Sequence, residues 1–287
     1  MFGYGRPGPW VPATAQYNAR VAQLQRAKQE GRLRLHPRFA SRFLSTPRDL
    51  LVYLPPGYES SGARHPVFYL QDGQNLFDPA TAFGGQDWRA DITADEMICR
   101  GEIEPVILVG IYNTGTRRVS EYTPTRDKRL RKGGKAGRYA EMLAREIKPF
   151  IDHEYRTLKS SRHTAIGGSS LGALASLIAA LEYPRVFGQV AMMSPSVWWD
   201  GRSIIAETRR FQSPLRPRIW LDVGTRESDS AQLVVDEARL LRDAFIESGW
   251  RSGPELEYRE IEGGVHSETA WAARFGSLLA YLFGRRT

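Results

Sequence analysis

The sequence has one cysteine, Cys99. A single thiol closes no internal disulfide, which fits a reducing compartment and makes the cytoplasm the expected location. Cys99 falls in a helix-forming stretch without a partner motif, so it is read as a buried bystander. No run of 18 apolar residues occurs, so no transmembrane helix and no membrane partner are expected. The first residues, Met1-Phe2-Gly3-Tyr4-Gly5-Arg6-Pro7, hold no apolar core of the kind a signal peptide needs. Zinc-type Cys/His spacing is missing, and the acidic loop Asp72 to Asp78 does not follow calcium-loop spacing. No metal or cofactor is therefore expected. Internal repeats and low-complexity linkers are also absent.

What remains is ordinary for an enzyme domain. The 287 residues are 41% hydrophobic and 25% charged, with a formal net charge of +8. A basic chain raises nucleic acid as a partner. The cations are mostly scattered arginines without an RNA-binding aromatic signature, so a solvated basic surface is preferred and nucleic acid is not expected.

The stretch 165–174, Ala-Ile-Gly-Gly-Ser-Ser-Leu-Gly-Ala-Leu, contains Gly168-x-Ser170-x-Gly172. This fits G-x-S-x-G, the sharp turn from strand to helix that strains a nucleophilic serine and exposes its hydroxyl. His163 to Ile166 can enter as a strand, and Leu171 to Tyr183 reads as an apolar helix. Ser170 would then sit at a helix N-terminus, where unpaired N–H groups favour negative charge.

A serine hydroxyl needs a base, usually histidine held by a carboxylate. In this architecture the chain order is serine, acid, histidine. His266 is the one histidine after Ser170. It lies in the Gly-rich turn Gly263-Gly264-Val265-His266 behind the last expected strand. The acid is sought in Gly224-Thr225-Arg226-Glu227-Ser228-Asp229, with Glu227 favoured and Asp229 the alternative. Asp222 would point inward by strand alternation. The oxyanion donors are the backbone N–H of Leu171 and that of Gln74 or Gly73 in the loop after Leu70.

Expected strands cover residues 33–44, 50–54, 67–70, 106–111, 163–166, 186–193, 218–223 and 256–261. Helices are expected over 86–100, 138–155, 171–183, 203–211, 231–248 and 268–283. Strands alternating with helices predict an α/β fold with a mostly parallel sheet, helices on both faces and an antiparallel edge. Residues 113–137 read as a long loop carrying Arg118, a candidate substrate contact, and the basic run Arg126 to Lys135. Residues 1–32 form an arm with a helix over Ala13–Glu30, and 33–287 form one catalytic domain. Whether the arm packs on the domain or on a second copy is left open, so a homo-oligomer stays in view. Only a short segment separates the strand ending near Met193 from the next, so no large cap domain is expected. Trp198 and Trp199 either wall a substrate pocket or cover a helix.

Taken together, several motifs resemble an esterase family of α/β-hydrolases. They are Tyr69-Leu70-Gln71-Asp72-Gly73-Gln74-Asn75-Leu76-Phe77-Asp78, Arg118-x-x-Glu121-Tyr122-Thr123-Pro124, the Ser170 turn, Gly224-Thr225-Arg226-Glu227, and Gly263-Gly264-Val265-His266-Ser267-Glu268-x-x-Trp271. The family includes enterochelin (siderophore) esterases, S-formylglutathione hydrolase, feruloyl and acetyl-xylan esterases, and mycolyltransferases. The likeness runs from about Arg48 to the C-terminus. It implies Ser170 as nucleophile, Glu227 as acid and His266 as base, acting on a small or bulky ester through an acyl-enzyme. Many members carry His where Gln71 stands, a departure at the oxyanion loop. Apart from the resemblance, the basic run Arg126 to Lys135 reads first as a solvated loop, with attraction of an anionic ester as the alternative. The rival readings are acyl transfer with the same residues and a non-catalytic polyanion-binding protein on this scaffold.

Overall fold

The computed structural model describes residues 32–285. The expected helix over Ala13–Glu30 lies outside them. Eight strands form one sheet in the order β1-β2-β4-β3-β7-β8-β9-β10. β1 (Leu33–Phe39) and β2 (Arg48–Tyr53) are antiparallel, and β2 is antiparallel to β4 (Ile107–Ile111). The other pairings, among β3 (Val67–Gln71), β4, β7 (Thr164–Ser169), β8 (Gln189–Met193), β9 (Arg218–Gly224) and β10 (Leu256–Ile261), are parallel. This is the expected α/β architecture with its antiparallel edge.

The central strands read as unbroken apolar runs because both faces are covered. Every residue of β3, β4, β7 and β8 is buried. On one face, Ile166 and Val190 pack with Tyr139, Met142 and Leu174. These come from α3 (Ala136–Met142), which continues through a π-helical turn (Leu143–Ile147) into α4 (Lys148–Glu154), and from α5 (Leu171–Glu182). On the other face, Phe68 and Trp220 pack with α1 (Ala90–Cys99) and α8 (Glu268–Phe283) through Ala94, Phe275 and Leu278. The edge strand β10 protects itself with charge: Arg259 and Glu260 are exposed.

α5 is buried without a break from Leu171 to Ala180. A helix apolar all round needs cover on every side, and here it anchors the turn that carries Ser170. α1 buries Ala90, Asp91, Ala94 and Met97, a face that Cys99 misses. Cys99 is therefore exposed, not buried as expected.

The stretch expected to be loop, 113–137, is more ordered. It contains α2 (Arg118–Tyr122) and a small hairpin of β5 (Arg126–Asp127) and β6 (Lys132–Gly133). Its order comes from distant partners. Buried Glu121 pairs with Arg48 at 3.2 Å, and the Trp199 indole N–H donates to the Thr125 carbonyl at 3.1 Å. Between β8 and β9 lie α6 (Trp199–Arg209) and short connections, too little chain for a cap. No described helix is long and apolar enough to cross a membrane.

Candidate active site

Ser170 joins β7 to α5 with φ 56° and ψ −123°, a conformation that L-residues rarely adopt. The flanking glycines allow it. A Cβ on Gly168 would lie 2.9 Å from Gln71 Cβ, and one on Gly172 would lie 3.0 Å from the same atom. The glycines thus clear the side chain at the end of the neighbouring strand β3. Gln71 has no freedom to yield: its amide donates to Ser176 at 3.3 Å and its carbonyl accepts from the Tyr139 hydroxyl.

His266 reaches across from the turn after β10. Its Nε2 lies 3.0 Å from Ser170 Oγ, and its Nδ1 lies 2.9 Å from Glu227 Oε2. Residues 170, 227 and 266 thus form one hydrogen-bonded chain. The Trp271 ring meets the imidazole edge-on at 4.9 Å between centroids. Asp229, the alternative acid, is exposed just ahead of α7 (Ala231–Glu247), and among the described residues no hydrogen bond or ion pair ties it to Ser170, His266 or Glu227.

Glu227 is nearly sealed from solvent, with its side chain 1% exposed. Burial opposes its ionisation. Hydrogen bonds from His266, Ser194 and the Gly224 amide outweigh that and hold its pKa below the ordinary carboxylate value. Behind it, Arg274 lies 3.6 Å from Glu227 and 3.0 Å from Asp222. One buried guanidinium therefore faces two carboxylates. Burial lifts Asp222 to about 6, against the pull of Arg274.

Gln74 lies in the 3-10 turn Gly73–Asn75 just after β3. Asp72, at φ 55°, turns the chain into it. The Asp72 carboxylate accepts from Arg118 at 2.8 and 2.7 Å and from Asn113 at 2.7 Å. A Cβ on Gly73 would sit 2.4 Å from the Gly110 carbonyl carbon, so only glycine passes there. The Gln74 side chain accepts the Asn113 amide at 3.2 Å, and its carbonyl accepts the Thr81 hydroxyl at 2.7 Å. Both contacts fix the residue without using its N–H. Leu171 opens α5, where a helix leaves its first amides without an internal acceptor. The two proposed oxyanion donors thus stand at the ends of adjacent strands, β3 and β7.

The remaining sequence candidates divide. Arg118, expected to meet substrate, is committed to Asp72 and braces the loop after β3. Trp199 is 1% exposed, packs under the hairpin and offers no pocket wall, whereas Trp198 is 43% exposed. Sequence reasoning missed Ser194 and Ser196. Ser194 accepts the Trp271 indole N–H at 2.9 Å, and Ser196 Oγ lies 3.1 Å from Ser170 Oγ. Their one signal was Ser-Pro-Ser at a strand end. Glu268 was also missed. Its partly buried carboxyl accepts from the Asn75 amide at 2.9 Å and from the Trp88 indole, joining the His266 turn to the loop after β3.

Comparison with known proteins gives the family. Residues 41–282 match the family model described as "Putative esterase". An uncharacterised protein of Bacillus subtilis (strain 168), YjcH, is 31% identical over 193 residues, covering 67% of this chain and 72% of that one. The ferri-bacillibactin esterase BesA of the same strain is 27% identical over 226 residues, covering 71% of this chain and 74% of that one. Among solved structures, the enterobactin esterase FES from Shigella flexneri, determined in the presence of enterobactin, aligns with a TM-score of 0.69 at 19% identity. That alignment covers 87% of this chain and 58% of the other, so this chain spans less than two thirds of that neighbour's length.

Proposed function

The chain belongs to this esterase family, and from that premise we propose that it hydrolyses carboxylic esters through an acyl-enzyme on Ser170. Ser170 Oγ attacks the ester carbonyl while His266 Nε2 takes its proton. Glu227 holds the Nδ1–H tautomer and balances the imidazolium that forms. The Leu171 and Gln74 amides hold the oxyanion at the N-terminus of α5, where the helix dipole favours negative charge. His266 then gives its proton to the departing alcohol. Water repeats the sequence on the acyl-enzyme and releases the acid.

The observation that carries this reading is the unbroken hydrogen-bond chain from Ser170 through His266 to Glu227. The lack of a cap between β8 and β9 supports an open cleft and a bulky ester. Curated relatives named as siderophore esterases favour a siderophore ester within that class. We read residues 33–287 as one catalytic domain preceded by an arm. The single cysteine supports a cytoplasmic place of work.

A fluorophosphonate probe tests the nucleophile. The wild-type chain is expected to label on Ser170, and Ser170→Ala is expected to lose both label and hydrolysis of nitrophenyl esters. Folded wild-type protein that neither labels nor hydrolyses any ester in a panel of acyl, feruloyl, acetyl-sugar and siderophore esters would refute the proposal.

A further inference from the structure

One turn after β8 touches both ends of the proposed triad. Ser194, at φ 47°, aims its hydroxyl at Glu227. Two residues on, the Ser196 hydroxyl lies 3.1 Å from Ser170 Oγ. The Ser196 backbone is tied to the same residue: its N–H donates to the Ser170 carbonyl at 3.2 Å, and its own carbonyl accepts the Trp199 N–H at 3.1 Å. Ser196 is 4% exposed. Its hydroxyl therefore has a fixed place and little access to bulk water.

Counting protons gives it a direction. His266 Nδ1–H is committed to Glu227, so Nε2 is an acceptor. Ser170 has one proton and donates it to Nε2 at 3.0 Å. Ser196 must then be the donor in its bond to Ser170 Oγ. In the acyl-enzyme, Ser170 Oγ is an ester oxygen, whose lone pairs are drawn toward the carbonyl. It no longer accepts a hydrogen bond well. The Ser196 hydroxyl loses its partner at the moment when a nucleophile must enter beside His266 Nε2. An unpartnered buried hydroxyl is unfavourable, so this position attracts a small hydroxylic molecule.

We propose that Ser196 is a catalytic residue of the second half-reaction, in which it holds the incoming water against the acyl-enzyme. This rests on the acyl-enzyme reading above. The water oxygen accepts from Ser196 through one lone pair and attacks the acyl carbon with the other. One water proton passes to His266 Nε2. The tetrahedral intermediate then collapses, the bond from acyl carbon to Ser170 Oγ breaks, and His266 returns the proton to Ser170 Oγ. Ser196 ends with the proton it began with. The role is specific to deacylation, since Ser170 Oγ is held in place by its own covalent chain during acylation, whereas the water is held only by hydrogen bonds.

The test separates the two half-reactions. Enzyme is acylated with the nitrophenyl ester of a hindered acid, trimethylacetate, and nitrophenol release reports acylation. After removal of excess ester, mass spectrometry follows loss of the acyl group from Ser170. Ser196→Ala should acylate within about threefold of wild type but deacylate at least about tenfold more slowly, on the scale set by loss of one positioned donor. Ser196→Thr, which keeps the hydroxyl, should recover most of the deacylation rate. If wild type forms no adduct on Ser170, the acyl-enzyme reading itself fails. If wild type forms the adduct and Ser196→Ala deacylates at the wild-type rate, only the role of Ser196 is refuted. The same holds if the variant slows both half-reactions equally or fails to fold while Ser196→Thr, folded, shows the same parallel loss.

Discussion

Glu227 has donors on each carboxylate oxygen: His266 on Oε2, and Ser194 with the Gly224 amide on Oε1. A glutamine there presents one NH2 to a neighbourhood made of donors. Either the His266 contact or the Gly224 contact must break. If the His266 contact breaks, the Nδ1–H tautomer loses its anchor. Glu227→Gln is therefore expected to lower kcat about 10² to 10⁴-fold, by analogy with triads whose acid is replaced by its amide. Asp229→Ala is expected to stay within about twofold, because that side chain is exposed and makes no hydrogen bond to Ser170, His266 or Glu227. Steady-state rates on one nitrophenyl ester decide between them, and the reverse ranking would transfer the role to Asp229. The meeting of Ser170, His266 and Glu227 was legible because each position depends on chain order and strand ends. Strand alternation likewise turned Asp222 inward, and it is fully buried. Ser194 was not legible. Its part depends on a positive φ that swings a hydroxyl back to Glu227, and sequence spacing does not report that angle.

At the scale of elements, the N-terminus of α8 ties the His266 turn to the loop after β3. Ser267 caps the helix by accepting the Ala270 amide at 3.3 Å, and Glu268 reaches back to Asn75 and Trp88. Burial raises the Glu268 pKa to about 7, with the Asp72 charge adding to the rise and Trp88, Arg118 and Asn75 opposing it. The folded protein thus binds a proton that the unfolded chain releases near the ordinary glutamate value. Stability contributed by that proton is present at low pH and falls as pH rises from about 4.5 to about 7. Glu268→Gln removes this dependence. Relative to wild type, the variant should gain roughly 2 kcal/mol between about pH 5 and about pH 8 in denaturant unfolding. A difference that does not change with pH would refute the assignment. The larger elements around this helix were legible because buried parallel strands write themselves as apolar runs such as Val106 to Ile111. α2 and the β5–β6 hairpin were not, since Arg48–Glu121 and Trp199–Thr125 hold them across 73 and 74 positions of sequence. No local period announces such contacts.

The whole molecule carries a formal net charge of +8, and part of it is gathered on that hairpin. Arg126, Lys128, Arg129, Arg131, Lys132 and Lys135 are all exposed, and among the described residues none of them forms an ion pair. Buried Asp127 fixes the hairpin from within by accepting the Arg129 and Leu130 amides, each at 2.8 Å. Thr125 binds Ser203 at 3.1 Å and Trp199 at 3.1 Å, which ties the start of the hairpin to α6, the helix that follows the Ser196 turn. A solvated basic surface would leave the reaction indifferent to salt. A field at the cleft mouth would raise the encounter rate of an anionic ester, and salt would screen it once the Debye length falls to about 10 Å near 0.1 M. Two nitrophenyl esters of equal length distinguish these, one ending in a carboxylate and one in a methyl group. With steering, kcat/KM for the anionic ester falls about threefold or more from about 0.02 M to about 0.3 M salt, and the neutral ester is unaffected. Replacing Lys128, Arg129 and Arg131 with glutamine should flatten the salt dependence for the anionic ester while sparing the neutral one. Equal salt responses of the two esters in the wild-type protein would reduce the hairpin to a solubilising surface.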